Sequence, residues 1–116
     1  MKRFLLFLVL IPLFGLGQNT PDCAPDLLFQ INAESGMKMR LGPGSQNKVV
    51  VFVPAQSFVL VCEELSVPAT FEGNAGNWRR VRYKKHYGYM FDGFLSPLPN
   101  NYQLNDTTWS AVELPV

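Results

Sequence analysis

Asn77–Phe91 reads NWRRVRYKKHYGYMF. Successive side chains of an extended chain point to opposite faces, so Val81 and Tyr83 fall on one side and Arg80, Arg82 and Lys84 on the other. The segment therefore predicts two strands, Trp78–Lys84 and Gly88–Phe91. Lys84–Gly88 between them suits a tight hairpin in which Gly88 takes a positive φ. The apolar side of this hairpin must face a core, and the arginine side must face outward. No stretch from Leu27 onward sustains a 3.6-residue period, so the expected class is all-β.

Upstream, apolar runs broken by Gly, Pro, Asn and Ser extend the same reading. Strands are expected at Leu27–Ala33, Met37–Arg40, Val49–Val53 and Ser57–Glu63. LGPGS at Leu41–Ser45 turns the chain with two glycines and a proline, and Pro54-Ala55-Gln56 is a short connection. Leu65–Asn77, holding Pro68, Gly73 and Gly76, reads as the longest connection and the expected mobile loop. Five to six short strands are too few for two packed sheets and suit one small barrel spanning residues 27–98. Val49–Val53 and Phe58–Cys62 are apolar on both faces, so each needs cover beyond the core. Residues 99–116 carry Tyr102, Leu104, Trp109, Val112 and Leu114, too apolar for a solvated tail. This C-terminal extension is expected to pack on the outer face of Val50, Phe52, Phe58 and Leu60. A partner protein or a second copy of the chain would serve equally.

The first 17 residues read as a signal peptide. Lys2 and Arg3 precede an apolar run from Phe4 to Phe14, and Gly15 and Gly17 stand at the −3 and −1 positions of a cut before Gln18. That run is shorter than the roughly 20 apolar residues that cross a bilayer, so no stable membrane insertion is expected. No cysteine follows the cut directly, which argues against a lipoprotein. Residues 18–26, QNTPDCAPD, form a lead-in segment without apolar periodicity. The whole chain has 10 Lys+Arg and 9 Asp+Glu; the leader takes Lys2, Arg3 and no acid, leaving a net charge of −1. Such a chain has no global pull toward nucleic acid or anionic membranes. In the periplasm or outside the cell, Cys23 and Cys62 are expected to pair, closing a loop of about 40 residues worth roughly 4 kcal/mol in chain entropy. One buried thiol and one free one is the alternative.

Three pieces in order resemble the bacterial SH3-like (SH3b) family. INAESGMKMRLGPGS at Ile31–Ser45 is similar to its opening, through Met37, Met39, Arg40, Gly42 and Pro43. KVVVFVPAQSFVLVCEE at Lys48–Glu64 resembles its pair of strands joined by a tight turn, with Gln56 near the point where the family usually has glycine. NWRRVRYKKHYGYMFDGFL at Asn77–Leu95 resembles its closing hairpin, through Trp78, Val81, Tyr83, Gly88, Tyr89, Phe94 and Leu95. The resemblance implies a small barrel of five or more strands, usually non-catalytic, found in exported proteins and commonly assigned to binding peptidoglycan or protein ligands.

The candidate site is the aromatic and basic hairpin. Tyr87 and Tyr89 are the best surface candidates, with Trp78 at the barrel end, because aromatic rings with a polar tip suit grooves for peptides and sugars. Arg80 and Arg82, with Lys84, make a strip able to grip carboxylate or phosphate; the competing reading is a solvated face that protects an edge strand. Catalysis has little to work with. The single histidine, His86, sits in a predicted turn, and Cys62 lies mid-strand among apolar residues where thiols are inert. One histidine and scattered carboxylates give no metal-ligand spacing, and no cofactor is implied. Asn105-Asp106-Thr107 fits a glycosylation triplet but is read as unmodified. The expected function is non-catalytic recognition of cell-envelope peptide or glycan. The alternative is a protein–protein interface or homodimer formed on the doubly apolar strands.

Overall fold

The computed structural model describes residues 28–115; the leader and the whole lead-in segment with Cys23 lie outside the described residues. The chain is a small all-β domain of antiparallel strands: β1 (Leu28–Ile31), β2 (Met37–Arg40), β3 (Val49–Val53), β4 (Phe58–Phe71), β5 (Asn74–Tyr83), β6 (His86–Phe91), β7 (Leu95–Pro97), β8 (Tyr102–Leu104) and β9 (Ala111–Glu113). A single 3-10 turn, Asp92–Phe94, joins β6 to β7. Seven strands form one sheet in the order β3-β2-β6-β5-β4-β1-β7, and β8 and β9 pair separately. Five to six strands were expected, so the count is higher: β7, β8 and β9 are each three residues long, too short for alternation to reveal.

The sheet curls, and the chain itself requires it. β3 and β4 stand first and fifth in the order, which in a flat sheet would place them about 19 Å apart at roughly 4.8 Å per strand. They are joined by Pro54–Ser57 alone, closed by Ser57 N–H donating to the Pro54 carbonyl at 3.2 Å. Such a turn holds its ends within about 7 Å. Gln56 occupies it at φ 66°, the left-handed conformation a glycine would adopt more readily. Gln56 N–H donates to the Ile31 carbonyl at 2.9 Å and Ile31 N–H to the Ser57 carbonyl at 2.9 Å, so the turn is stitched to the end of β1. Ile31, Met39, Val53, Val59, Val61, Val81 and Met90 fill the concave side and are completely buried.

Three details of the sequence reading change. Gly88 lies within β6, opposite Val81, rather than in a turn. A Cβ there would meet Met39 Cγ at 2.5 Å and the Arg40 carbonyl at 2.7 Å, so the glycine is required by the close approach of β2. The turn is Lys84-Lys85, with Lys84 at φ 56° and Tyr83 paired with His86. Leu65–Asn77, expected as a mobile loop, is a strand hairpin: β4 and β5 run on to pair Thr70 with Ala75 and Phe71 with Asn74. Glu72 (φ 51°) and Gly73 (φ 82°) turn it, a pair of positive φ values that matches the twist of the flanking strands. The pairing register breaks after Val61 and again between Glu64 and Pro68, which accommodates a proline in an otherwise paired strand.

The third concerns what covers the doubly apolar strands. Leu104, Tyr102, Trp109 and Ala111 pack with Leu28, Phe58 and Leu60 in a second cluster on the convex side. Phe58 and Leu60 are thus covered by the C-terminal segment, whereas Phe52 is 52% exposed. Val50 turns inward against the main core instead, at the bulge where Met39 faces Val51 and Arg40 faces Val49. The C-terminal segment thus covers the outer face of β4 and β1 and not that of β3, which lies at the other end of the strand order.

Candidate functional site

The convex face of the β5–β6 hairpin is built of three cross-strand rungs: Trp78 with Phe91, Arg80 with Tyr89, and Arg82 with Tyr87. All five residues singled out from the sequence therefore share one face, because positions 78, 80 and 82 alternate outward and their partners do the same. Their surroundings differ. Tyr87 is 42% exposed, Tyr89 and Arg82 are half-buried, and Trp78 and Arg80 are buried. Arg80 is therefore no part of a solvated strip; its Nε donates to Glu63 Oε1 at 3.3 Å across the β4–β5 ladder.

At the Trp78–Phe91 end the face opens into a groove of about 900 Å³. One wall is the Asn32–Gly36 loop and Phe52; the other is the tip of the β4–β5 hairpin, Phe71 and Glu72. Gly36 takes φ 77°, and a Cβ there would strike the Phe52 ring at 2.5 Å, so the loop hugs β3. Asn32 N–H donates to the Phe94 carbonyl at 2.8 Å, and its side-chain amide donates to Ser96 Oγ, which anchors the loop to the far end of the sheet. Phe71, Trp78, Phe91 and Phe94 pack edge to face, with centroids 4.7 Å apart for Phe71–Phe91, 6.3 Å for Phe71–Trp78 and 5.8 Å for Phe91–Phe94. Edge-to-face packing locks such rings in place. Lys38 and Arg40 on β2 and Glu34 and Glu72 on the two walls give the rim both signs of charge. Arg40 is held by donating from Nη1 to the Asn47 carbonyl at 2.7 Å.

Sequence reasoning found Trp78 here but missed Phe52, Phe71 and Phe94. Phe52 carried a signal, as the aromatic residue on the outer face of a strand that is apolar on both sides. Phe71 carried none, since the hairpin that delivers it was read as a loop.

At the other end of the face, Arg82 lies with its Cζ 5.6 Å from the Tyr87 ring centroid and 5.4 Å from that of Trp109, and Nε donates to the Lys84 carbonyl at 2.7 Å. Arg79, on the concave side, donates from Nε to Asp92 Oδ2 at 2.6 Å, while Asp92 Oδ1 accepts from Asn77 N–H at 2.8 Å. That arrangement ties the 3-10 turn to β5. Cys62 is the extra residue at the first register break in β4. Among the described residues no three His, Cys, Asp or Glu gather as a metal site, and no helix is long and apolar enough to cross a membrane.

Fold and groove define a small all-β domain with a rigid aromatic cleft on its convex side. Comparison with protein-family models, curated proteins and solved structures returns no match.

Proposed function

We propose that the chain is an exported, non-catalytic SH3-like binding module that recognises an extended peptide or glycan of the cell envelope. The observation that carries this reading is the groove between Phe52 and Phe71, floored by Trp78 and Phe91. Ligand sites are concave, mostly apolar, and oriented by a few polar groups, and this one pairs aromatic walls with Lys38, Arg40, Glu34 and Glu72 at the rim. Export rests on the leader-like residues 1–17, and a disulfide at Cys62, proposed with it, would suit an oxidising compartment. With two cysteines in the chain, Cys23 is the partner in this proposal. On that pairing Cys62 would be unavailable as a thiolate nucleophile, in keeping with a non-catalytic reading.

The test is retention of the purified protein on isolated sacculi. Wild type binds, and Phe52→Ala, whose exposed ring leaves the core intact, loses retention several-fold with an unchanged circular dichroism spectrum. Equal retention of the two proteins overturns the groove, and no retention of wild type overturns the envelope ligand.

A second reading is favoured by Val49 and Phe52, 42% and 52% exposed on a strand at the end of the sheet. Apolar side chains beside an open strand edge suit a protein–protein contact or a homodimer. Light scattering of the mature chain separates the two, since a strict monomer removes the dimer.

A further inference from the structure

We infer that the Arg82 end of the convex face is a second binding site, an oxyanion receptor that takes a carboxylate or phosphate group through the guanidinium of Arg82. Three independent features of the structure converge on it. First, Arg82 is fixed before any ligand arrives. Tyr87 flanks it from β6 and Trp109 from the side of β4, each ring within 6 Å of Cζ, and Nε is committed to the Lys84 carbonyl at 2.7 Å. An arginine held over aromatic rings has lost the side-chain freedom that usually weakens its hydrogen bonds, and it still presents a planar fork.

Second, the fork is available. Arg82 enters no ion pair among the described residues, and its two Nη groups donate to nothing else among them. The neighbouring charges are of the same sign: Lys84 and Lys85 form the adjoining turn, and Lys84 Nζ lies 5.3 Å from the Tyr83 ring centroid. The other two arginines of β5 differ, being engaged by Glu63 and Asp92. A guanidinium fork matches the paired oxygens of a carboxylate or phosphate, and its hydrogen bonds to an anion are the strong kind.

Third, the element that delivers Trp109 is strained in the way functional positions are. Trp109 takes φ 55°, a left-handed conformation that is uncommon for a bulky aromatic residue. The loop around it is wired to hold that conformation. Asn105 Oδ1 accepts from Thr107 N–H at 2.8 Å and Thr108 N–H at 3.0 Å, the Asn105 carbonyl accepts from Trp109 N–H at 2.8 Å, and Asn105 N–H donates to the Ser110 carbonyl at 2.9 Å. The Trp109 ring then packs edge-on against Tyr83 at 5.8 Å and against Arg82. The loop seats one ring against one arginine.

This receptor does not depend on the groove. Trp78 and Arg82 are four residues apart along β5, about 13 Å at the rise of a strand, so a long ligand spans both sites and a small anion occupies only one. The test is titration of ¹⁵N-labelled mature protein with inorganic phosphate, and separately with acetate, at constant ionic strength. The Arg82 Nε–Hε and Trp109 indole resonances are followed. The receptor predicts a saturable shift of both signals with at least one of the two anions, and the anion that produces it distinguishes a phosphate ester from a carboxylate as the natural group. Arg82→Lys keeps the charge and removes the fork; it weakens the binding about tenfold. Tyr87→Leu, at an exposed position, weakens it about threefold, and Lys85→Ala changes it less than twofold. A purely structural latch between Arg82 and Trp109 gives no saturable shift. Linear shifts with both anions, or affinities of Arg82→Lys and Tyr87→Leu equal to wild type, overturn the proposal.

Discussion

Gln56 holds the β3–β4 turn at φ 66° while its carbonyl accepts from Gln30 Nε2 at 3.1 Å. Only its backbone is used. A left-handed residue with a Cβ costs roughly 1–2 kcal/mol, and glycine gives back part of that gain through its freer unfolded state. Gln56→Gly is therefore expected to stabilise the domain by about 0.5–1 kcal/mol, raising the melting temperature by roughly 2–8 °C in a thermal scan. Gly88 behaves in the opposite way. The Met39 side chain can shift, but the Arg40 carbonyl belongs to the paired backbone, so Gly88→Ala forces β2 away from β6 and costs about 1–3 kcal/mol by chemical denaturation. Both glycine questions were visible in the sequence, but one was answered wrongly. A glycine three residues after a lysine pair signals a turn and a close approach equally well, and only the position of β2 beside β6 separates them. Asn105 shows the same limit: its triplet fits a modification signal, whereas its side chain is occupied in capping a loop.

The β4–β5 arm is the element whose nature decides the groove. Its tip pairs Ala69 with Gly76 and Thr70 with Ala75, and Phe71 seats on Trp78 and Phe91. Of the adjacent residues Ala69 and Thr70 one amide points across the arm to β5 and the other to solvent, and the inward one is expected to exchange with deuterium much more slowly than the amides of Gly44–Ser45 in the β2–β3 connection; equally fast exchange would show the arm open. Gly73→Val, at φ 82° where nothing crowds a Cβ, strains only the turn and is expected to speed exchange across the arm while leaving Val81 and Met90 protected. The strands themselves were legible where alternation was clean: β2 and β3 have the limits that the sequence predicts, and Val81 faces the core as expected. Alternation fails at Cys62 and between Glu64 and Pro68, where extra residues interrupt the ladder. A rule based on every second residue loses its place at each insertion, which is why the arm looked like a loop. The same fault hid Phe71 and with it half of the groove.

At the scale of the whole molecule, two covers act on two sides of one sheet. The concave side is filled by Val, Ile and Met from six strands, and the convex side is shared between the C-terminal cluster around Leu104 and the aromatic groove. If Cys62 is bonded to Cys23, as proposed, the link restricts the unfolded chain, and reduction is expected to cost roughly 4 kcal/mol. Denaturant titration with and without reductant measures it, and an unchanged midpoint would rule that pairing out. The sequence correctly pointed to an apolar tail with a surface to cover, and to Phe58 and Leu60 as part of that surface. Which other residues it reaches depends on strand order, and order is set by pairings between residues far apart in the chain. β1 illustrates the point, for it lies between β4 and β7 and hydrogen-bonds to both. β1 precedes both of its partners in the chain and thus waits for Phe58–Leu60 on one flank and for Leu95–Pro97 on the other. A nascent chain stalled anywhere before Leu95 would leave Phe29 and Gln30 with an open backbone edge. Completion of the sheet is thereby deferred until β7 has been made, and a chain exported unfolded, as proposed above, would gain time to be threaded through its channel.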